Sequence, residues 1–279
     1  MQVGIRLHDT KKMPLEERLR NVHEQGFSCG HLALSKVIEE YPVGISALTP
    51  GFAMYLKHLF EKNQLDVAVL GCYLNLANPN EEKLREITEK YKGHIRFASL
   101  LGCGVVGTET GNPNETYTYD EEKSHTEEAL QIFIKNLVPV VEYAEKMGVI
   151  LAIEPVFNHI VYNPKRARRV LDTVQSPNLQ IILDPVNLLH ISNYQNQTEI
   201  VREAIELLGK DVAVVHIKDY IVEEDKLVSV AAGTGNMDYS DLMKFIKNEK
   251  PFIHATLENT VPENAVRAKE YIQKLWEEA

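Results

Sequence analysis

The sequence predicts a closed eight-stranded (β/α)8 barrel, and three observations carry that expectation. Eight short apolar runs rich in β-branched residues recur along the 279 residues, segments with helical spacing alternate with them, and several runs (VAVL, VILAI, LQIIL, VAVVHI) are almost continuously apolar. Strands covered on both faces read this way, which favours a parallel sheet over a sandwich. No linker rich in Pro, Gly or Ser divides the chain. Since α/β barrels commonly run to about 250 residues, residues 1–279 are expected to form a single barrel domain.

The elements follow in order. The run Val3–Leu7 precedes a helix over Pro14–Gln25, and His31–Leu34 precedes one over Thr49–Asn63. Val67–Leu74 leads to Pro79–Tyr91, and Ile95–Leu101 is the fourth expected strand, with Asp120–Met147 as its helix. Val149–Ile153, Leu179–Leu183, Val212–Ile217 and Phe252–Leu257 complete the strands; their helices are Pro164–Val174, Gln197–Leu208, Tyr239–Asn248 and Pro262–Trp276. Pro14, Pro79, Pro164 and Pro262 suit first helical turns, Asn78, Asn163 and Asp238 suit caps, and Gly26, Gly93 and Gly148 suit helix ends. The polar stretch Gly102–Asp120 reads as a long loop over the barrel mouth, with glycines that permit hinging.

Composition narrows the function. With 30 Lys+Arg against 40 Asp+Glu the formal charge is -10, which opposes a nonspecific grip on nucleic acid or on an anionic membrane. A small-molecule substrate is expected instead, and a homo-oligomer is compatible with the sequence. Cys29, Cys72 and Cys103 are too few and scattered for a disulfide framework. No apolar run approaches the ~18 residues of a membrane span, and the amino terminus lacks a secretory pattern, so a cytoplasmic protein is expected.

In such a barrel the active site is built where the strands end. The fifth to eighth runs end in Glu154, Asp184, His216 and Glu258. Each is a good ligand for a divalent cation, and three carboxylates grouped without one would repel each other. One ion of Mn²⁺, Mg²⁺, Co²⁺ or Zn²⁺ is therefore expected there. His8 ends the first run, His159 lies just past Glu154, and His190 follows Asp184. His31, His94 and His254 fall inside strand runs and read as packing residues, and His58 and His125 as surface residues of helical segments.

These residues resemble the xylose isomerase-like sugar phosphate isomerase/epimerase superfamily. Glu154, Asp184, His216 and Glu258 stand in the order of that superfamily's four metal ligands, and His216–Tyr220 (HIKDY) and Gly233–Asp238 (GTGNMD) are similar to its motifs. The resemblance implies isomerisation or epimerisation beside a carbonyl through a cis-enediolate, with Glu154 and Glu258 moving the proton. Lys218, on the same strand face as His216, either neutralises a developing oxyanion or pairs with a strand-end carboxylate. The chain departs from the common Asp-x-x-His pattern: Asn187 stands where the histidine would reach the substrate, and it can hydrogen-bond a hydroxyl but not act as acid or base. Glu109, in a glycine-flanked loop, is a further candidate to face substrate, with His8 and His159. Alternatives are a dehydratase or lyase of the inosose type and a noncatalytic sugar-binding barrel. Lys165, Arg166, Arg168 and Arg169 offer either a phosphate contact or an ordinary basic helix surface.

Overall fold

A computed structural model describes residues 1–279. Its parallel strands β1 (Gln2–Arg6), β2 (Cys29–Leu32), β3 (Asp66–Gly71), β4 (Val105–Glu109), β5 (Ile150–Glu154), β6 (Leu179–Leu183), β7 (Val212–Ile217) and, after the antiparallel hairpin β8 (Asp219–Glu223) and β9 (Lys226–Val230), β10 (His254–Leu257) form the barrel. The ring closes in the order β1-β10-β7-β6-β5-β4-β3-β2, so the fold class is as expected. Outside it lie α1 (Leu15–Glu24), α2 (Leu34–Val37), α3 (Pro50–Lys62), α4 (Glu81–Leu101), α5 (Glu121–Ser124), α6 (Glu127–Met147), α7 (Pro164–Val174), α8 (Gln197–Leu208), α9 (Ser240–Glu249) and α10 (Ala265–Glu278). No helix is long and apolar enough to cross a membrane.

Local chemistry sets the helix ends. Asn163 Oδ1 accepts the Arg166 N–H at 2.9 Å and Pro164 occupies the first turn of α7. Thr126 caps α6, whose buried Leu130, Phe133, Ile134, Leu137 and Val141 recur at helical spacing, and Gly148 closes it at φ 65°. Each such side chain contributes roughly 1.5–3 kcal/mol on burial. Three of the four expected first-turn prolines lie outside their helices: Pro14 caps α1, while α4 and α10 begin after Pro79 and Pro262. Asn80, rather than Asn78, caps α4, accepting the N–H groups of Glu82 and Lys83.

The fourth unit corrects the sequence reading. Ile95–Leu101 is not a strand but the last two turns of α4, with Ile95, Phe97, Ala98 and Leu101 buried and Arg96, Ser99 and Leu100 exposed. The helix runs through Gly93 and stops at Gly102, which takes the left-handed φ of 81°. The true strand, Val105–Glu109, lies inside the segment read as loop. Its apolar run is broken by Gly107, and the barrel requires that break: a Cβ there would sit 2.6 Å from Val69 Cγ1 and 2.7 Å from Ile182 Cδ1. Among the segment's glycines, Gly102 serves a helix cap, Gly107 a strand and Gly111 a tight turn against Asn75. The loop that remains after β4 is fastened, since Asn75 Nδ2 donates to Asn112 O at 2.8 Å and Asn114 O at 2.7 Å. The hairpin β8–β9 also lies in a stretch that periodicity left unassigned.

Inside the barrel, Cys29, Ala68, Val69, Ala152, Ile182 and Val214 pack as one small buried cluster. Side chains two residues apart share a strand face, so each strand that fills this layer presents its next inward residue at the carboxyl end. Cys29 is followed by His31, Gly107 by Glu109, Ala152 by Glu154, Ile182 by Asp184, Val214 by His216, and Thr256 by Glu258. Gly4, whose Cβ would strike Cys29, is followed in the same way by Arg6.

Candidate active site

Glu154, Asp184, His216 and Glu258 are all buried at this end of the barrel. His216 Nδ1 lies 3.3 Å from Glu154 Oε1 and 3.3 Å from Glu258 Oε1. The side chains form two overlapping groups, Glu154–Asp184–His216 and His31–His216–Glu258, within each of which ligand atoms lie within 4.8 Å of one another. His216 belongs to both. The structure thus brings the four expected ligands together and adds His31, which sequence reasoning had placed among packing residues. Its ring stacks on His216 with centroids 5.2 Å apart, and its Nε2 lies 3.3 Å from the Tyr73 hydroxyl. The alternation that selects Glu154 from Ala152 selects His31 from Cys29, and that signal was available in the sequence.

Two cations accompany the carboxylates. Lys218 Nζ lies 2.8 Å from Asp184 Oδ2 and 3.3 Å from Glu258 Oε2, and Arg6 Nη1 lies 3.1 Å from the same Glu258 oxygen. Lys218 therefore forms the salt bridges that were one of its two readings; Arg6 was not anticipated. Burial pushes the Glu258 carboxyl up, but His216, Lys218 and Arg6 more than offset it and hold the group well below the ordinary range. Burial likewise lowers His216, yet Glu154 and Glu258 outweigh it and raise the imidazole to about 9. Burial dominates at Asp184, which is raised against the pull of Lys218. His31, desolvated and beside His216, is held well below its usual value.

Neighbouring groups fix these side chains. Asn187 Nδ2 donates to Glu154 Oε1 at 2.7 Å, while Asp184 Oδ1 accepts the N–H groups of Val186 and Asn187 at 2.9 and 3.2 Å. One residue in the histidine's place therefore ties two strand-end carboxylates together. Both oxygens of buried Asp219 are used, accepting the backbone N–H groups of Tyr220, Gly233, Gly235 and Met237 at 2.8, 3.1, 3.0 and 2.8 Å. Gly235 is required there, because a Cβ would fall 2.2 Å from Tyr220 O. This is how the HIKDY and GTGNMD segments meet. Tyr239 completes the clamp, its hydroxyl donating to Lys218 O at 2.8 Å.

The remaining candidates divide. Glu109 is the register partner of Glu154 and accepts from the Tyr117 hydroxyl at 3.1 Å; His159 Nε2 lies 3.9 Å from the same oxygen. His8 sits edge-on to His31 at 6.2 Å and is lowered to about 4, mainly by burial. His190 stacks on Phe157 at 4.3 Å and pairs with Ser192. His94 lies in α4, not a strand. All three cysteines are free and buried.

Fold and mouth together define a (β/α)8-barrel protein with a buried, charge-paired polar layer at the strand ends. Residues 19–275 match the family described as xylose isomerase-like TIM barrel, and the chain belongs to that family. No curated protein matches the sequence. Among solved structures the chain is similar to a D-tagatose 3-epimerase-like protein (21% identity, 99% of this chain and 97% of that one, TM-score 0.78). It is also similar to the IolI protein with a bound zinc atom (18% identity, 100% and 99%, TM-score 0.76). A third likeness is to 3-keto-D-glucoside 4-epimerase, YcjR, from E. coli (14% identity, 98% and 99%, TM-score 0.74).

Proposed function

We propose that the protein is a divalent-metal-dependent isomerase or epimerase of a sugar or sugar-like ketone. The observation that carries this reading is the burial of Glu154, Asp184, His216 and Glu258 side by side at the strand ends, in two overlapping groups that share His216. The donor set fits a divalent cation: Glu154, Asp184 and His216 offer ligand atoms within 4.8 Å of one another, Glu258 lies 3.3 Å from the same imidazole, and Asn187 and the Val186 N–H orient two of the carboxylates from outside. Glu154, Asp184, His216 and Glu258 would hold the ion, which when bound polarises a substrate carbonyl and its neighbouring hydroxyl.

The chain's own groups handle the proton. Glu154 and Glu258 reach the cluster from β5 and β10, on either side of β6 and β7 in the ring, so each can act on a different face of a substrate held between them. Either carboxylate removes a proton beside the carbonyl to give an enediolate, and return from the other side inverts that carbon. Lys218 and Arg6 supply fixed positive charge where the enediolate's negative charge develops. The likenesses to the IolI protein with its zinc atom, to a D-tagatose 3-epimerase-like protein and to 3-keto-D-glucoside 4-epimerase support the same chemistry.

Screening ketoses, aldoses and inosose-type ketones with Mn²⁺, Mg²⁺, Co²⁺ or Zn²⁺ added to metal-stripped protein tests the reading. At least one compound should be converted to an isomer or epimer, and only with cation present. Full activity in a chelator, or inertness toward every compound with every cation, contradicts it.

A further inference from the structure

Beside the four-residue cluster stands a second polar group that metal binding and proton transfer do not use. Glu109 ends β4 in register with Glu154, and paired residues of parallel strands point the same way, so its carboxylate faces the mouth next to the proposed base. Tyr117, carried by the loop after β4, holds Oε2 at 3.1 Å. This hydroxyl is the carboxylate's only protein hydrogen-bond donor, leaving Oε1 as a free acceptor. His159 closes the third side: its ring meets Tyr117 edge-on with centroids 5.3 Å apart, and its buried Nδ1 has no partner.

We propose that Glu109, Tyr117 and His159 form the subsite for the hydroxyl-bearing end of the substrate remote from the reacting carbons, and that the substrate is an unphosphorylated polyhydroxyl ketone. This rests on the sugar-isomerase reading above. A carboxylate with a free oxygen, an imidazole with a free nitrogen and a phenol supply the acceptors and donors that vicinal hydroxyls need, whereas a phosphate would face an unpaired carboxylate.

The cations that might have met a phosphate are occupied elsewhere. Lys165 pairs with Glu203 at 2.9 Å, Arg168 with Asp172 and Asp211, and Arg169 with Glu127. Arg166 donates to the carbonyls of His125 and Thr126. Arg6 and Lys218 are engaged with Glu258 and Asp184. Lys36 and Lys90 line a cavity of about 340 Å³ beside Tyr73, and the charge of Lys36 also acts on Glu109.

The test uses the full chain reloaded with Mn²⁺. Ketohexoses and cyclic polyol ketones, each paired with its phosphate monoester, are titrated calorimetrically into wild type, Glu109→Gln, Tyr117→Phe and Lys36→Ala. At least one unphosphorylated compound should bind about tenfold more tightly than its ester. Glu109→Gln should weaken that binding about tenfold or more, the scale of losing a hydrogen bond to a charged group, and raise KM with kcat little changed. Manganese affinity should not move in this variant, which separates the subsite from the metal cluster. Tighter binding of the esters, with the preference lost in Lys36→Ala, would put the far end of the substrate in the Tyr73 cavity and overturn the proposal. Unaltered binding in Glu109→Gln, or no binding of any unphosphorylated compound at millimolar concentration, would overturn it too. Glu109-dependent binding without any isomerisation would instead defeat the isomerase reading and leave the subsite standing.

Discussion

Replacing Glu258 by Gln is expected to lower turnover by about 10² or more while the divalent cation stays bound, because the amide keeps the shape and one coordinating oxygen but cannot accept a proton at neutral pH. The carboxylate it replaces is the most heavily counter-charged of the cluster, touched by His216, Lys218 and Arg6. Asp184→Asn should behave differently. Its Oδ1 can still accept from Val186 and Asn187, so the turn after β6 keeps its geometry, and the loss falls on the oxygen beside Lys218. Activity in that variant should recover as the cation concentration is raised, by mass action. Metal content and steady-state rates measured together separate the two cases. Wild-type turnover by metal-loaded Glu258→Gln would reduce Glu258 to a ligand.

A large effect on stability is expected at Asp219, outside the apolar core. Asp219→Ala strips the acceptors from four backbone N–H groups at once. Each buried donor left unsatisfied costs about 1–3 kcal/mol, and water entering the partly exposed turn recovers some of that. A net loss of about 3 kcal/mol or more follows, or roughly 6–12 °C in Tm for a chain of this size. The same change frees the turn that Tyr239 fastens to Lys218, so turnover should fall as well. A melting temperature within about 2 °C of wild type, on the same scale, would show that the cage around Asp219 is dispensable.

The barrel was legible because seven of its eight strands are apolar runs bounded by turn residues, and because carboxylates and a histidine end four of them. The fourth strand was hidden by the feature that makes it fit. Gly107 interrupts its apolar run since the interior has no room for a side chain there, while the adjacent helix ends in an apolar stripe, Ile95 to Leu101, that imitates a strand over seven residues. That error carried Glu109 into a presumed loop, although it stands one strand from Glu154. His31 and Arg6 were missed for a different reason: His31 opens the run His31–Leu34 and Arg6 lies inside Val3–Leu7, so neither stands at the end of an apolar run, although alternation from Cys29 and Gly4 turns both inward. The Asp219 cage is a matter of backbone geometry, and no periodicity announces it.

Exchange of the substrate's carbon-bound proton with solvent tests the central claim most directly. Metal-stripped protein in D₂O is incubated with the most rapidly converted ketone, with and without Mn²⁺, and followed by proton NMR. The account predicts loss of one C–H signal adjacent to the carbonyl, dependent on the cation and slowed at least about 10² in Glu258→Gln. Conversion of that ketone with full retention of its C–H signals, or exchange that proceeds unchanged without the cation, would contradict it.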